Sequence, residues 1–115
     1  MISRVVLLLL VMSAPAFALE KDYQKKWCDN VGGKMEVVLK DGARVDCVTR
    51  NYAVEFDFAH KWSEAVGQSL YYAIRTGKKP GVVLICGPND NVFVTRMKAV
   101  AKKHGIRLWR MEAAE

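Results

Sequence analysis

Residues 52–86 read YAVEFDFAHKWSEAVGQSLYYAIRTGKKPGVVLIC, and the changes of rhythm within them decide the fold. Tyr52–Phe58 alternates, with Val54, Phe56 and Phe58 on one face and Ala53, Glu55 and Asp57 on the other. A period of two predicts a strand. From His60 to Arg75 the period lengthens: Trp62, Ala65, Val66, Ser69, Leu70 and Ala73 recur at threes and fours, the apolar stripe of a helix. Thr76-Gly77-Lys78-Lys79-Pro80-Gly81 stops that helix. Val82–Cys86 is apolar throughout, which suits a strand covered on both faces. Strand, helix and buried strand in succession predict a parallel crossover.

Upstream, Lys34–Lys40 and Arg44–Thr49 are strand-like and meet at Asp41-Gly42, a hairpin turn signal. Arg50-Asn51 then turns the chain into Tyr52. Glu20–Asn30 places Tyr23 and Trp27 at helical spacing before Gly32-Gly33 stops the run. Downstream, Gly87-Pro88-Asn89-Asp90 turns the chain, Asn91–His104 predicts a basic helix closed by Gly105, and Ile106–Arg110 fits a last short strand. The element order is α-β-β-β-α-β-α-β. An antiparallel meander followed by crossovers implies an α/β fold with a single mixed β-sheet flanked by helices.

The chain has 115 residues, 51% hydrophobic and 26% charged, with a formal charge of +6. Length allows one domain, and the apolar content excludes a disordered chain. Residues 1–18 have the form of a secretory signal peptide: Arg4, the apolar run Val5–Met12, and Ala16-Phe17-Ala18 as a small-x-small cleavage site. The apolar run is too short to span a bilayer. The expectation is therefore export to the periplasm or medium after cleavage at Ala18, with no stable membrane anchor and residues 19–115 as a single domain. Cys28, Cys47 and Cys86 all lie beyond that segment. Cys28–Cys47 is the expected disulfide, because both lie in the N-terminal half and outside the strongest apolar strand. Cys86 is expected as a buried free thiol. The sequence has no CxxC motif, and His60 and His104 are far apart, which argues against zinc.

Chemistry concentrates between Arg44 and Tyr72. Glu55 and Asp57 leave the same face of one strand, and Asp46 lies on the strand before it. If Asp46 joins them, three carboxylates converge where a hard divalent cation could bind. Solvated acids on a polar strand face would look the same. Lys61, Gln68 and Tyr72, at offsets of seven and eleven from Lys61, share one face of the following helix.

Together these features resemble the PD-(D/E)XK nuclease superfamily, whose restriction-endonuclease-like core runs α-β-β-β-α-β with an Asp and a Glu-x-Lys on adjacent strands. The resemblance rests on Asp46, the Glu55-Phe56-Asp57 triplet and Gln68-Ser69-Leu70-Tyr71-Tyr72, which is similar to the QxxxY element of exonuclease-like branches. It implies a metal-dependent nuclease using Mg2+, with Mn2+ as the alternate. Asp46, Glu55 and Asp57 would be its metal ligands, Asp46, Glu55 and Lys61 its catalytic groups, and Gln68 and Tyr72 its substrate-positioning groups. Asp57 stands where the family carries its lysine, and Lys61, four residues on, is the candidate replacement.

The partner implied is nucleic acid, DNA ahead of RNA. Lys21, Lys25 and Lys26, then Lys78 and Lys79, then Arg96, Lys98, Lys102 and Lys103 supply cationic surface that attracts phosphates without sequence preference. Trp62 could stack on a base, though its register with Val66 and Leu70 equally fits a core position. Two other classes remain open. One is a binding module that keeps the fold without the chemistry, and the other is a small exported domain that binds a protein partner.

Overall fold

The computed structural model describes residues 17–114. The signal-peptide expectation falls largely on residues 1–16, outside that range. Helix α1 spans Phe17–Asn30, followed by β1 (Lys34–Val38), β2 (Arg44–Val48) and β3 (Tyr52–Phe58). A 3-10 turn at Ala59–Lys61 leads into α2 (Trp62–Thr76), then β4 (Lys79–Cys86), α3 (Asn91–His104) and β5 (Arg107–Glu112). The five strands form one mixed sheet in chain order. β1, β2 and β3 are antiparallel neighbours, whereas β3, β4 and β5 run parallel. This is the α/β layout expected.

Two boundaries differ from the periodicity for a tertiary reason. β4 begins at Lys79, before the apolar run, because Lys79, Pro80 and Gly81 pair with Tyr52, Ala53 and Val54 of β3. Gly81 is required there: a Cβ would lie 2.8 Å from the Trp109 ring. β5 extends to Glu112 because its parallel register with β4 continues to Cys86.

Alternation along β4 divides the core. Val82, Leu84 and Cys86 pack with Ala65 of α2 and Val94, Met97 and Ala101 of α3. Val83 faces the other way and joins Val54, Phe56, Cys28 and Cys47, with Trp27 and Trp109 against them. The sheet is thus covered by α2 and α3 on one face and by α1 on the other, which is why β4 reads as continuously apolar. Trp62 packs against the α2–α3 core rather than standing free.

Cys28 and Cys47 form a disulfide with Cα atoms 5.9 Å apart, stapling α1 to β2. Cys86 is a buried free thiol. Among the described residues, no helix is long and apolar enough to cross a membrane.

Candidate active site

The site begins where the sheet fails. β2 and β3 pair at Cys47↔Val54 and Val48↔Ala53, and the pairing ends there. One residue on, Asp46 stands across from Glu55, and the Phe56 N–H donates to Asp46 Oδ2 at 2.8 Å. A side-chain carboxylate therefore satisfies a backbone donor that the parted ladder would otherwise strand. The same row is interrupted between β1 and β2. Met35↔Cys47 and Val37↔Val45 pair, while Glu36 and Asp46 between them do not.

Glu36 has φ 54°, the left-handed region. For a residue with a Cβ that conformation costs about 1–2 kcal/mol. Residues two apart on a regular strand share a face. Here Met35 and Cys47 belong to the disulfide core, whereas Val37 and Val45 pack with Ala53 and Tyr72. The β1–β2 ribbon thus rotates at the Glu36–Asp46 row, and the acids of that row line an opening.

That opening is a cleft of about 430 Å³. Its strand wall carries Glu36, Arg44, Asp46, Glu55, Phe56 and Asp57. α1 contributes Glu20, Lys21 and Gln24, and α2 contributes Gln68 and Tyr72. Gln24, only 3% exposed, donates through Nε2 to the Asp46 carbonyl at 2.9 Å and to Glu36 Oε1 at 3.3 Å. α1 thereby holds the strand at the point where it leaves β3.

The inner end of the cleft crowds carboxyl groups. Glu55 is 5% exposed. Burial drives its pKa far above the usual carboxylate range, reinforced by a hydrogen bond with Asp46 and by the charges of Asp46 and Asp57. At neutral pH Glu55 therefore keeps its proton. Asp57 is pushed up to about 7, first by burial, then by repulsion from Glu20, Asp46 and Glu64, with Lys61 opposing. Among the described residues, Asp57 Oδ2 is the buried side-chain oxygen without a hydrogen-bond partner. The Tyr72 phenol is raised to about 12 by burial and then by the Glu55 and Asp46 carboxylates, so it remains a donor. Glu20 is raised by burial and by Asp46.

The structure thus gathers Asp46, Glu55, Asp57, Gln68 and Tyr72 around one cleft. Lys61 is not among its lining residues. It ends the 3-10 turn and lies exposed. Its charge still lowers the pKa of Asp57 and Glu20. The basic residues of α3 lie elsewhere, with Lys98 beside a separate hollow against Leu108 and Arg110 of β5.

Sequence reasoning missed Glu20, Lys21, Gln24, Glu36 and Arg44 as cleft residues. Glu36 carried no signal, because a non-glycine residue with left-handed φ has no local signature in a strand-like run. Glu20 and Gln24, four apart on α1, could have been found from their shared helical face. Among the described residues, no three His, Cys, Asp or Glu side chains are grouped closely enough to hold a metal ion by themselves. Comparison of the chain with family models, with curated proteins and with solved structures gave no match.

Proposed function

We propose that the cleft binds a divalent cation together with a phosphodiester, and that the protein is an exported, Mg2+-dependent nuclease-like hydrolase. The observation that carries this reading is the inner carboxyl cluster. A buried, protonated Glu55 beside Asp46 and an unpartnered Asp57 oxygen together cost stability in the free protein; Lys21 and Arg44 of the cleft lining lean on Glu36 instead, and Lys61 offsets Asp57 only in part. Crowded carboxyl oxygens of this kind fit a hard cation. Mg2+ (with Mn2+ as the alternate) uses one or two carboxylates and keeps most of its waters, so a full protein cage is unnecessary.

Asp46 and Glu55 would hold the cation, with Asp57 adding its free oxygen. When bound there, the cation would neutralise charge on the phosphodiester and lower the pKa of a bound water. Tyr72 would offer its phenolic hydrogen to a substrate oxygen. Gln68, exposed on α2, would contact the nucleic-acid backbone. Lys61 would act through its field on Asp57. The disulfide is compatible with an oxidising compartment, in keeping with the proposed export.

The exposed position of Lys61 favours a second reading, a nucleic-acid-binding module that keeps the fold without turnover. Both are tested by incubating the purified mature chain with labelled DNA and RNA across a Mg2+ and Mn2+ series. Cleavage that requires metal and disappears in Asp46→Ala and Glu55→Gln, with fold retained by circular dichroism, is the expected result. Salt-sensitive binding without cleavage under any metal selects the binding module. Neither cleavage nor binding removes nucleic acid as the partner.

A further inference from the structure

The outer end of the cleft has the opposite electrostatic character from the inner end. In the register set by their neighbours, Glu36, Asp46 and Glu55 form a row across β1, β2 and β3. At its outer end the cationic residues lining the cleft, Lys21 of α1 and Arg44 of β2, both lean on the Glu36 carboxylate. Lys21 Nζ lies 3.9 Å from Oε1 and Arg44 Nε 3.8 Å from Oε2. Those distances are ion pairs without hydrogen bonds, so the ammonium and guanidinium donors are not consumed by Glu36. Both side chains are mostly exposed, so they can turn toward a ligand.

Glu36 itself holds a strained backbone at φ 54°. Glycine would adopt that conformation freely. Its carboxylate also accepts from the buried Gln24 Nε2 at 3.3 Å, which holds it in place between the two cations. We infer that Lys21 and Arg44 form an anion subsite for a nucleic-acid phosphate adjoining the one in the inner cleft, and that Glu36 is the internal counterion this phosphate displaces. The inference rests on nucleic acid being the ligand of this cleft, and it is independent of whether the cleft cleaves. Glu36 keeps the two cations gathered and screened while the cleft is free. A phosphate, with more acceptor oxygens than Glu36 offers, takes the fork of Arg44 and the ammonium of Lys21 together.

The test uses the full mature chain in EDTA, so that metal and turnover play no part. Fluorescein-labelled oligothymidylate is the probe, and anisotropy is read across a salt series. Lys21→Ala and Arg44→Ala should each weaken binding by roughly 3–10-fold and flatten the salt slope by about 0.7, as loss of one single-strand phosphate contact does. Glu36→Gln should tighten binding several-fold. Asp22→Asn, which removes an exposed acid outside the cleft, should change it by less than half as much. Glu36→Gly should tighten binding as Glu36→Gln does, and a raised melting temperature in that variant shows that the fold is intact.

Several outcomes overturn the inference: no binding by the wild-type chain, unchanged slopes in both cation variants, or equal effects of Glu36→Gln and Asp22→Asn. Displacement of the probe by inorganic phosphate at sub-millimolar concentration overturns the polynucleotide assignment in favour of free phosphate. Loss of cleavage with retained EDTA binding counts against the hydrolase alone and leaves the subsite standing.

Discussion

Replacing Asp57 by Asn should make the metal-free protein more stable above neutral pH and leave it unchanged in acid. The pKa of Asp57 is raised in the fold from 3.8 to about 7, by burial first and then by Glu20, Asp46 and Glu64. A shift of about three units corresponds to a ceiling near 4 kcal/mol. The side chain is only half-buried, however, and solvent screens its repulsions, which brings the effect to about 1–2 kcal/mol. The sign follows from proton linkage. The folded state binds this proton more tightly than the unfolded chain, so the cost of ionising Asp57 is absent below about pH 4 and grows until about pH 7. Above that it is constant. Asparagine carries no such cost, and its amide can donate to the surrounding carboxylates, replacing an oxygen that has no partner.

For a domain of this size, 1–2 kcal/mol raises Tm by roughly 5–10 °C. Differential scanning calorimetry of both proteins in EDTA at pH 4, 5, 6, 7 and 8 measures it. The difference should open across that series and be largest at pH 8. A constant difference, or a variant less stable than wild type at pH 8, would refute the electrostatic account of this residue. Added Mg2+ gives the companion measurement. A cation that binds only the folded state raises Tm by mass action, and Asp57→Asn should lose most of that gain if Asp57 supplies one of its oxygens.

The remaining predictions concern the sulfur atoms that hold the cleft in shape. Gly33→Ala would set a Cβ 2.6 Å from Cys47 Sγ and 2.8 Å from Cys28 Sγ, with no rotamer to relieve the contact because both sulfurs are bonded. It should lower the urea-unfolding free energy by about 1–3 kcal/mol. Cys28→Ser should cost roughly 2–4 kcal/mol through the lost loop constraint, and dithiothreitol should produce that loss in wild type and no further loss in the variant. Cys86 is 0% exposed with a thiol pKa raised first by burial, so Ellman's reagent should leave it unmodified in the native protein and titrate it fully in guanidinium.

The fold was legible in the sequence wherever periodicity alone determined the element. Asn91–His104 matches α3 to the residue, and the continuous Val82–Cys86 run announced a strand covered on both faces. The boundaries that slipped, Lys79 and Glu112, depend on a neighbouring strand's register, and no local pattern encodes that. The cysteine pairing was legible because two elimination arguments pointed the same way. That Glu55 and Asp57 would line one cleft with Gln68 and Tyr72 was legible from strand parity and helical offset. The same offset placed Lys61 with them; Lys61 ends the 3-10 turn ahead of α2 and lies outside the cleft lining, though its charge reaches Asp57 and Glu20.

What stayed hidden is the event that makes the cleft. Asp46 could be placed on a strand by pattern, but the parting of β2 from β3 beside it comes from tertiary forces. Cys47, next to Asp46, is tied to α1 by the disulfide, and Gln24 of the same helix grips the Asp46 carbonyl. α1 thus holds β2 from one side at two adjacent residues. Immediately beyond, Val45 turns to the opposite core, where Ala53 and Tyr72 receive it. The ribbon is pulled toward two faces of the sheet within three residues, and the ladder opens between them. Glu36 takes up the rotation through its left-handed φ, and Asp46 turns its side chain to the Phe56 N–H that the opening exposes. The strain at Glu36 and the close approach of Asp46 to Glu55 therefore have one origin, and a variant that closes the ladder at this row should relieve both.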